Sequence, residues 1–172
     1  MYQLNHLATL AGISRAAQRD LTDAVRSRLR NYPQGLADAP REDAQIQEVV
    51  GRVSALASSA EASVLWAARV LADAVATLAE DPASHEPAAS EGIRAATIAV
   101  YEAQLTVTDA ALAASTLLFD ALSSSALAES RALDRHWRNA RTVASHNPRV
   151  YRARVIGDWH LNGADPSAAF MP

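Results

Sequence analysis

The sequence predicts an all-α fold, an antiparallel four-helix bundle with short C-terminal helices, and three observations carry that expectation. Alanine fills 39 of 172 positions while glycine fills 6 and proline 7, a balance that favours long helices over β-structure. Apolar residues recur in steps of three and four over stretches of about thirty residues. Proline-bearing gaps divide the first 125 residues into three such stretches. The length suits one domain spanning residues 1–172.

The first helix is expected over residues 4–30, where Leu7, Leu10, Ala17, Leu21, Val25 and Leu29 share a face and Asn31-Tyr32-Pro33 stops it. Its last turn carries Arg26, Arg28 and Arg30, the sign favoured at a helix C-terminus. The second helix, over 44–80, carries a stripe from Ile46 through Val53, Ala60, Val64 and Ala67 to Leu78. At 1.5 Å per residue it forms a seam about 50 Å long. Asp81-Pro82 and the loop through His85 are expected to end it. The third helix, over 88–122, is apolar on more than one side, with Ile98, Leu105, Leu112 and Phe119 as one row and Val100, Val107 and Ala114 as another. Such a helix belongs at the centre of a bundle or in a subunit interface. Ser123-Ser124-Ser125 interrupts it. A basic helix over 130–145 ends before Asn147-Pro148, and a short helix over 149–159 leads into Leu161-Asn162-Gly163, with glycine as C-cap.

Composition removes several chemistries. Cysteine is absent, and with it disulfides, thiolate metal sites and thiol nucleophiles. All 16 basic residues are arginine, so a P-loop lysine or Schiff base is excluded. No residue three before a histidine is acidic, so the Glu-x-x-His pairs of a di-iron bundle are missing, and no metal site is expected. Met1 to His6 lacks the pattern of a signal peptide, and polar residues interrupt every apolar run before 18 positions. The expectation is a cytoplasmic protein with no membrane partner.

Charge is strongly asymmetric. Val53 to Ser130 carries ten acids and two arginines, whereas Arg131 to Arg154 carries seven arginines against Asp134 alone. The informative segment runs from Leu133 to Pro148. On a helix, Leu133, Trp137, Ala140 and Ala144 form an apolar face, and Arg135, Arg138, Arg141 and Thr142 a polar one beside His136 and Asn139. Guanidiniums in that array suit phosphate or carboxylate oxygens. Ion pairing to the acidic helices is the other reading of the same charges. Trp137 reads as a core anchor before a stacking platform. His146 is either a ligand-facing group or a C-terminal cap, and the serine run either a ligand turn or a helix break. His136 and His146 stand about 15 Å apart along a helix and cannot share a metal. His6, His85 and His160 show no partner pattern. Nucleic-acid binding through Arg131–Arg154 ranks lowest, since the net charge is −3.

The block from Asp134 to Thr142 (Asp-Arg-His-Trp-Arg-Asn-Ala-Arg-Thr), His146-Asn-Pro148, Ile156-Gly-Asp158 and Asn162-Gly163 resembles the C-terminal helical domain of flavin-dependent monooxygenases with the acyl-CoA dehydrogenase fold. Members of that kind act on dibenzothiophene and sulfones. Gln3 to Ile13 is similar to the first helix of that domain, so the resemblance spans nearly the whole chain. It implies a complete subunit more than twice this length, with an N-terminal helical domain and a β domain before the bundle. It implies reduced FMN as cofactor (FAD is the other candidate), delivered by a flavin reductase, and a tetramer-like homo-oligomer. It also implies that His146 lies against the flavin and the reacting centre as the catalytic residue. The same resemblance implies that Ser124 and Ser125 sit at the turn approaching the cofactor, and that Arg138, Asn139 and Arg141 would shape and position that turn and the pocket wall. Val143 replaces a second histidine found in many members, and the serine run replaces a segment that often carries glycine or arginine.

The function expected from this resemblance is one domain, truncated or split, of a reduced-flavin-dependent monooxygenase or acyl-CoA dehydrogenase-like oxidoreductase. It would form one wall of the flavin and substrate site and part of the oligomer interface. The missing domains, or a partner chain carrying them, would be needed for catalysis. The alternative is a non-catalytic helical oligomerisation or ligand-binding protein derived from that domain.

Overall fold

The computed structural model describes residues 2–80 and 87–167. Five α-helices follow one another: α1 Tyr2–Ser27, α2 Ala44–Glu80, α3 Pro87–Leu122, α4 Arg135–Ala144 and α5 Arg152–Asn162. Single 3₁₀ turns sit at Pro40–Glu42, Ser124–Leu127 and Arg149–Tyr151, and there is no strand among the described residues.

Two buried clusters set the direction of each helix. The first joins Leu7 and Leu10 of α1, Ala60, Val64 and Ala67 of α2, Ala103, Val107 and Ala111 of α3, and Ala140 of α4. The second joins Ala17, Leu21 and Val25 of α1, Ile46 and Val53 of α2, Leu118 and Leu122 of α3, and Leu133 just before α4. The bundle therefore runs up, down, up, down. In the first cluster most positions are alanine, and side chains that small let helix axes approach closely, so the seam closes with little side-chain volume. α3 packs against α1, α2, α4 and α5, which puts the helix apolar on several sides at the centre.

Three boundaries differ from expectation. α1 stops at Ser27, short of Arg30; Arg28 turns away and its guanidinium donates to the backbone carbonyls of Arg30 and Ala121, capping the end of α3. Leu29 is consequently exposed and leaves the core stripe. The basic helix begins at Arg135, since Ala132 takes a positive φ of 47° that no right-handed helix accommodates. The last helix opens as a 3₁₀ turn and continues to Asn162, where Gly163 at φ 67° caps it as the sequence predicted. The expected end of α2 at Asp81-Pro82, with His85, lies outside the described residues.

Two stretches, Ala44–Ala79 and Glu91–Leu122, are long and apolar enough to cross a membrane by length and composition, although no run of 18 residues is free of polar groups. Alanine supplies most of that apolar character, and in the bundle the two helices pack against each other. The outer side of α2 remains uncovered: Leu65 is 70% exposed and Trp66 48%.

Candidate functional site

α4 lies across α1 and α3 with one narrow buried stripe, Leu133, His136 and Ala140. The remaining arc presents Trp137, Arg138, Asn139, Arg141 and Thr142 to the exterior. This corrects two expectations. Trp137 is 45% exposed, so it is no core anchor, while His136 turns inward at 4% exposure. Aspartate explains the inversion. His136 Nε2 donates to Asp20 Oδ2 of α1 at 2.7 Å, and the Arg135 guanidinium binds the same oxygen. A buried imidazole with a carboxylate partner is tolerated where a free one would not be. The i, i+4 spacing of His136 and Ala140 carried that signal in the sequence; the partner Asp20, 116 residues away, did not.

The arginines divide between the two readings. Arg135 pairs with Asp20, Arg138 with Asp134 one turn earlier at 3.0 Å, and Arg149 with Asp109 of α3. Arg152 lies over the Tyr101 ring with its carbon 4.0 Å from the centroid and donates to Gln104. Arg141 makes no ion pair among the described residues and projects from the exposed face.

His146 follows α4 after the cap residue Ser145. The last helical carbonyls are satisfied by Ser145, whose N–H reaches the Arg141 oxygen at 3.1 Å and whose hydroxyl donates to it at 2.8 Å. Serine thus fills the capping place, and the His146 imidazole is left for other work. Its ring stacks on His6 of α1, with centroids 4.3 Å apart and planes 17° from parallel. Asn147 donates to the Gln3 side chain, tying the same segment to the first turn of α1. His6, which shows no partner pattern in the sequence, is therefore part of this corner. His160 also has one: its ring meets Glu102 at 3.1 Å and ties α5 to α3.

Ser124 and Ser125 are exposed in the 3₁₀ turn after α3. Ser123 before them adopts φ 69°, ψ 179°, a region otherwise left to glycine, and its hydroxyl lies 3.2 Å from that of Ser125. Ala126 in this turn packs with Leu133, at the start of α4. His146 lies beyond its far end, ten helical residues or roughly 15 Å away. The structure does not bring the serines and His146 together; Arg138, Asn139 and Arg141 lie between them. Val143 packs against the first core cluster, so this replacement sits on the bundle side of α4. No group of three or more histidines or acids that could hold a metal occurs among the described residues.

Comparison with known proteins extends the picture. Residues 4–149 match the family described as acyl-CoA dehydrogenase, C-terminal domain. The chain is 42% identical over 53 residues to a probable FMNH2-dependent monooxygenase, SfnC, of Pseudomonas putida, covering 31% of this chain and 13% of that one. Among solved structures it resembles the methanesulfinate monooxygenase MsuC of Pseudomonas fluorescens, at 26% identity and a TM-score of 0.84 over 96% of this chain and 41% of that one. It also resembles the dibenzothiophene monooxygenase TdsC of Paenibacillus sp. A11-2, at 25% identity and a TM-score of 0.81 over 99% of this chain and 41% of that one. TdsC has also been solved with FMN bound. The chain thus spans about two fifths of the enzymes whose bundle it shares. The helix order, the α4 block and the match over residues 4–149 lead to one assignment: the chain belongs to the acyl-CoA dehydrogenase C-terminal domain family.

Proposed function

We propose that the chain is the helical bundle of a reduced-flavin-dependent monooxygenase acting in the cytoplasm, with the exposed arc of α4 forming one wall of the flavin and substrate site. The observation that carries this reading is the division of α4 into a back fixed by Asp20 and a front bearing Arg138, Asn139 and Arg141, with His146 just beyond its C-terminal end. The donor set fits FMN: an unpaired guanidinium and an amide suit the phosphate and carbonyl oxygens of the cofactor. Reduced FMN, delivered by a flavin reductase, would supply the electrons and the site of oxygen activation when bound.

The chain's own residues would position and protonate. Arg141 supplies an unpaired positive charge, and Arg138, held by Asp134, presents its remaining N–H groups from a restrained position. Asn139 offers both a donor and an acceptor. His146 would hold or deliver a proton, the acid–base role open to an imidazole. Ser124 and Ser125 would serve the far end of an elongated ligand. The domains or partner chain that close the other side would exclude water.

Titration of the native complex with FMN, read by quenching of flavin fluorescence, tests this. Saturable quenching is expected, weakened about tenfold or more in Arg141→Ala, the scale for losing a charge-assisted hydrogen bond. A flat titration in the presence of a chain carrying an N-terminal helical domain and a β domain overturns it.

A second reading is favoured by the uncovered side of α2. There the chain is a non-catalytic oligomerisation protein, with Leu65, Trp66 and Val75 against a second copy. A stable oligomer that ignores FMN would support that reading over the first.

A further inference from the structure

We infer that His6 is a positioning residue for His146. The inference rests on the proposed placement of His146 at the flavin. His6 sits one turn into α1, and its Nδ1–H donates to the Tyr2 carbonyl at 3.1 Å. A carbonyl can only accept, so this contact fixes the proton on Nδ1 and locks the ring against its own helix. The imidazole of His146 lies on that locked ring, nearly parallel at 4.3 Å. Tyr2 flanks both rings, its centroid 5.2 Å from His6 and 6.1 Å from His146. The link between Asn147 and Gln3 holds the backbone on the other side.

A side chain at an exposed helix end would ordinarily sample several rotamers. Here one face of the His146 ring is covered by an aromatic surface of fixed orientation. The edge bearing its two nitrogens stays unbonded among the described residues. Proton transfer needs that combination, with the plane fixed and the nitrogen free, because misplacement by about 1 Å costs rate steeply. His6 itself would reach no reacting atom; it acts through His146. The stacking face is what His146 needs, so a phenyl ring, which keeps that face while losing the bond to Tyr2, should replace it and a methyl group should not.

The test uses the full chain, with any chains that copurify, labelled on histidine for NMR and titrated in parallel with FMN. Stacking shifts the carbon-bound ring protons of His146. His6→Ala should abolish that shift and His6→Phe should retain it, with both variants melting cooperatively. FMN affinity should fall about tenfold in His6→Ala, recover in His6→Phe, and fall no further when His6→Ala is added to His146→Ala. Ring protons of His146 that stay in place in His6→Ala overturn the inference. An equal loss from His6→Ala in the His146→Ala background also overturns it, because His6 would then act independently. If His146→Ala binds FMN as the unaltered chain does, or if that chain binds no FMN, the proposed function of His146 fails. The NMR comparison still decides whether His6 orients the ring.

Discussion

Gly35 has no room for a side chain. A Cβ built there meets the Asn31 amide nitrogen at 2.2 Å and the Asp43 carboxylate at 2.8 Å. Those groups form the hub that fastens the α1–α2 loop. Asp43, buried at 2% exposure, accepts from the Asn31 amide at 2.6 Å, the Leu36 N–H at 2.8 Å and the Gln45 N–H at 2.9 Å. Gly35→Ala should displace Asn31 and lower the melting temperature. Burial pushes the Asp43 carboxyl up, but the hydrogen bonds from Asn31, Leu36, Gln45 and Ile46 outweigh it and hold it below the usual range. A depressed carboxyl contributes stability that is present above its unfolded pKa, about 4, and is lost as pH falls through the folded value. Acid melts should accordingly show a shallower loss of stability below about pH 4 in Asp43→Asn than in the unaltered chain. Ser123 offers the opposite case. Its φ of 69° is strained for a residue with a Cβ, so Ser123→Gly should raise stability by about 1 kcal/mol in denaturant titration, after the added freedom of the unfolded chain is subtracted.

At the scale of elements, α4 is short and polar, and its hold on the bundle comes from a few contacts. Ala140 buries little area and Leu133 lies just before the helix, which leaves the Asp20 carboxylate as the main polar clamp on its first turn. Asp20→Ala should strand the buried His136 imidazole and cost about 1–3 kcal/mol. Hydrogen exchange should rise in α4 before it rises in α1–α3. A control lies in the second cluster: Leu21→Ala, at a fully buried position, should cost about 2–5 kcal/mol and loosen the whole bundle together. The pair Arg15–Glu61 between α1 and α2 is different. The Arg15 hydrogen bond holds the Glu61 carboxyl below its ordinary range, yet both side chains remain partly exposed, and Glu61→Gln should change stability little.

For the whole molecule, the uncovered side of α2 is the largest open matter. Leu65, Trp66 and Val75 lie outward along a helix whose opposite side is already committed to α1 and α3. Beside them an apolar groove of about 470 Å³ runs between Leu4 and the Leu71–Ala79 stretch. Light scattering should give a mass above that of a single 18.3 kDa chain. Leu65→Glu with Trp66→Arg should reduce that mass while leaving the far-UV helical signal intact. A monomer before mutation would refute the expectation.

The sequence determined the three long helices by period alone. Leu7, Val53, Ala60 and Val107 recur at helical spacing, and spacing is a local property that burial merely realises. Gly163 was legible from cap chemistry, because a positive φ after the last turn favours glycine. The direction in which Trp137 and His136 face was decided only by the tertiary structure. An aromatic is apolar and a histidine polar in isolation, and Asp20 reverses that order by satisfying one ring in the interior. Likewise the separation of Ser124 from His146, and the stack of His6 on His146, depend on how α1 and α4 run against each other. Contacts between residues 140 positions apart cost chain entropy that no local pattern records, and packing alone chooses which of them form.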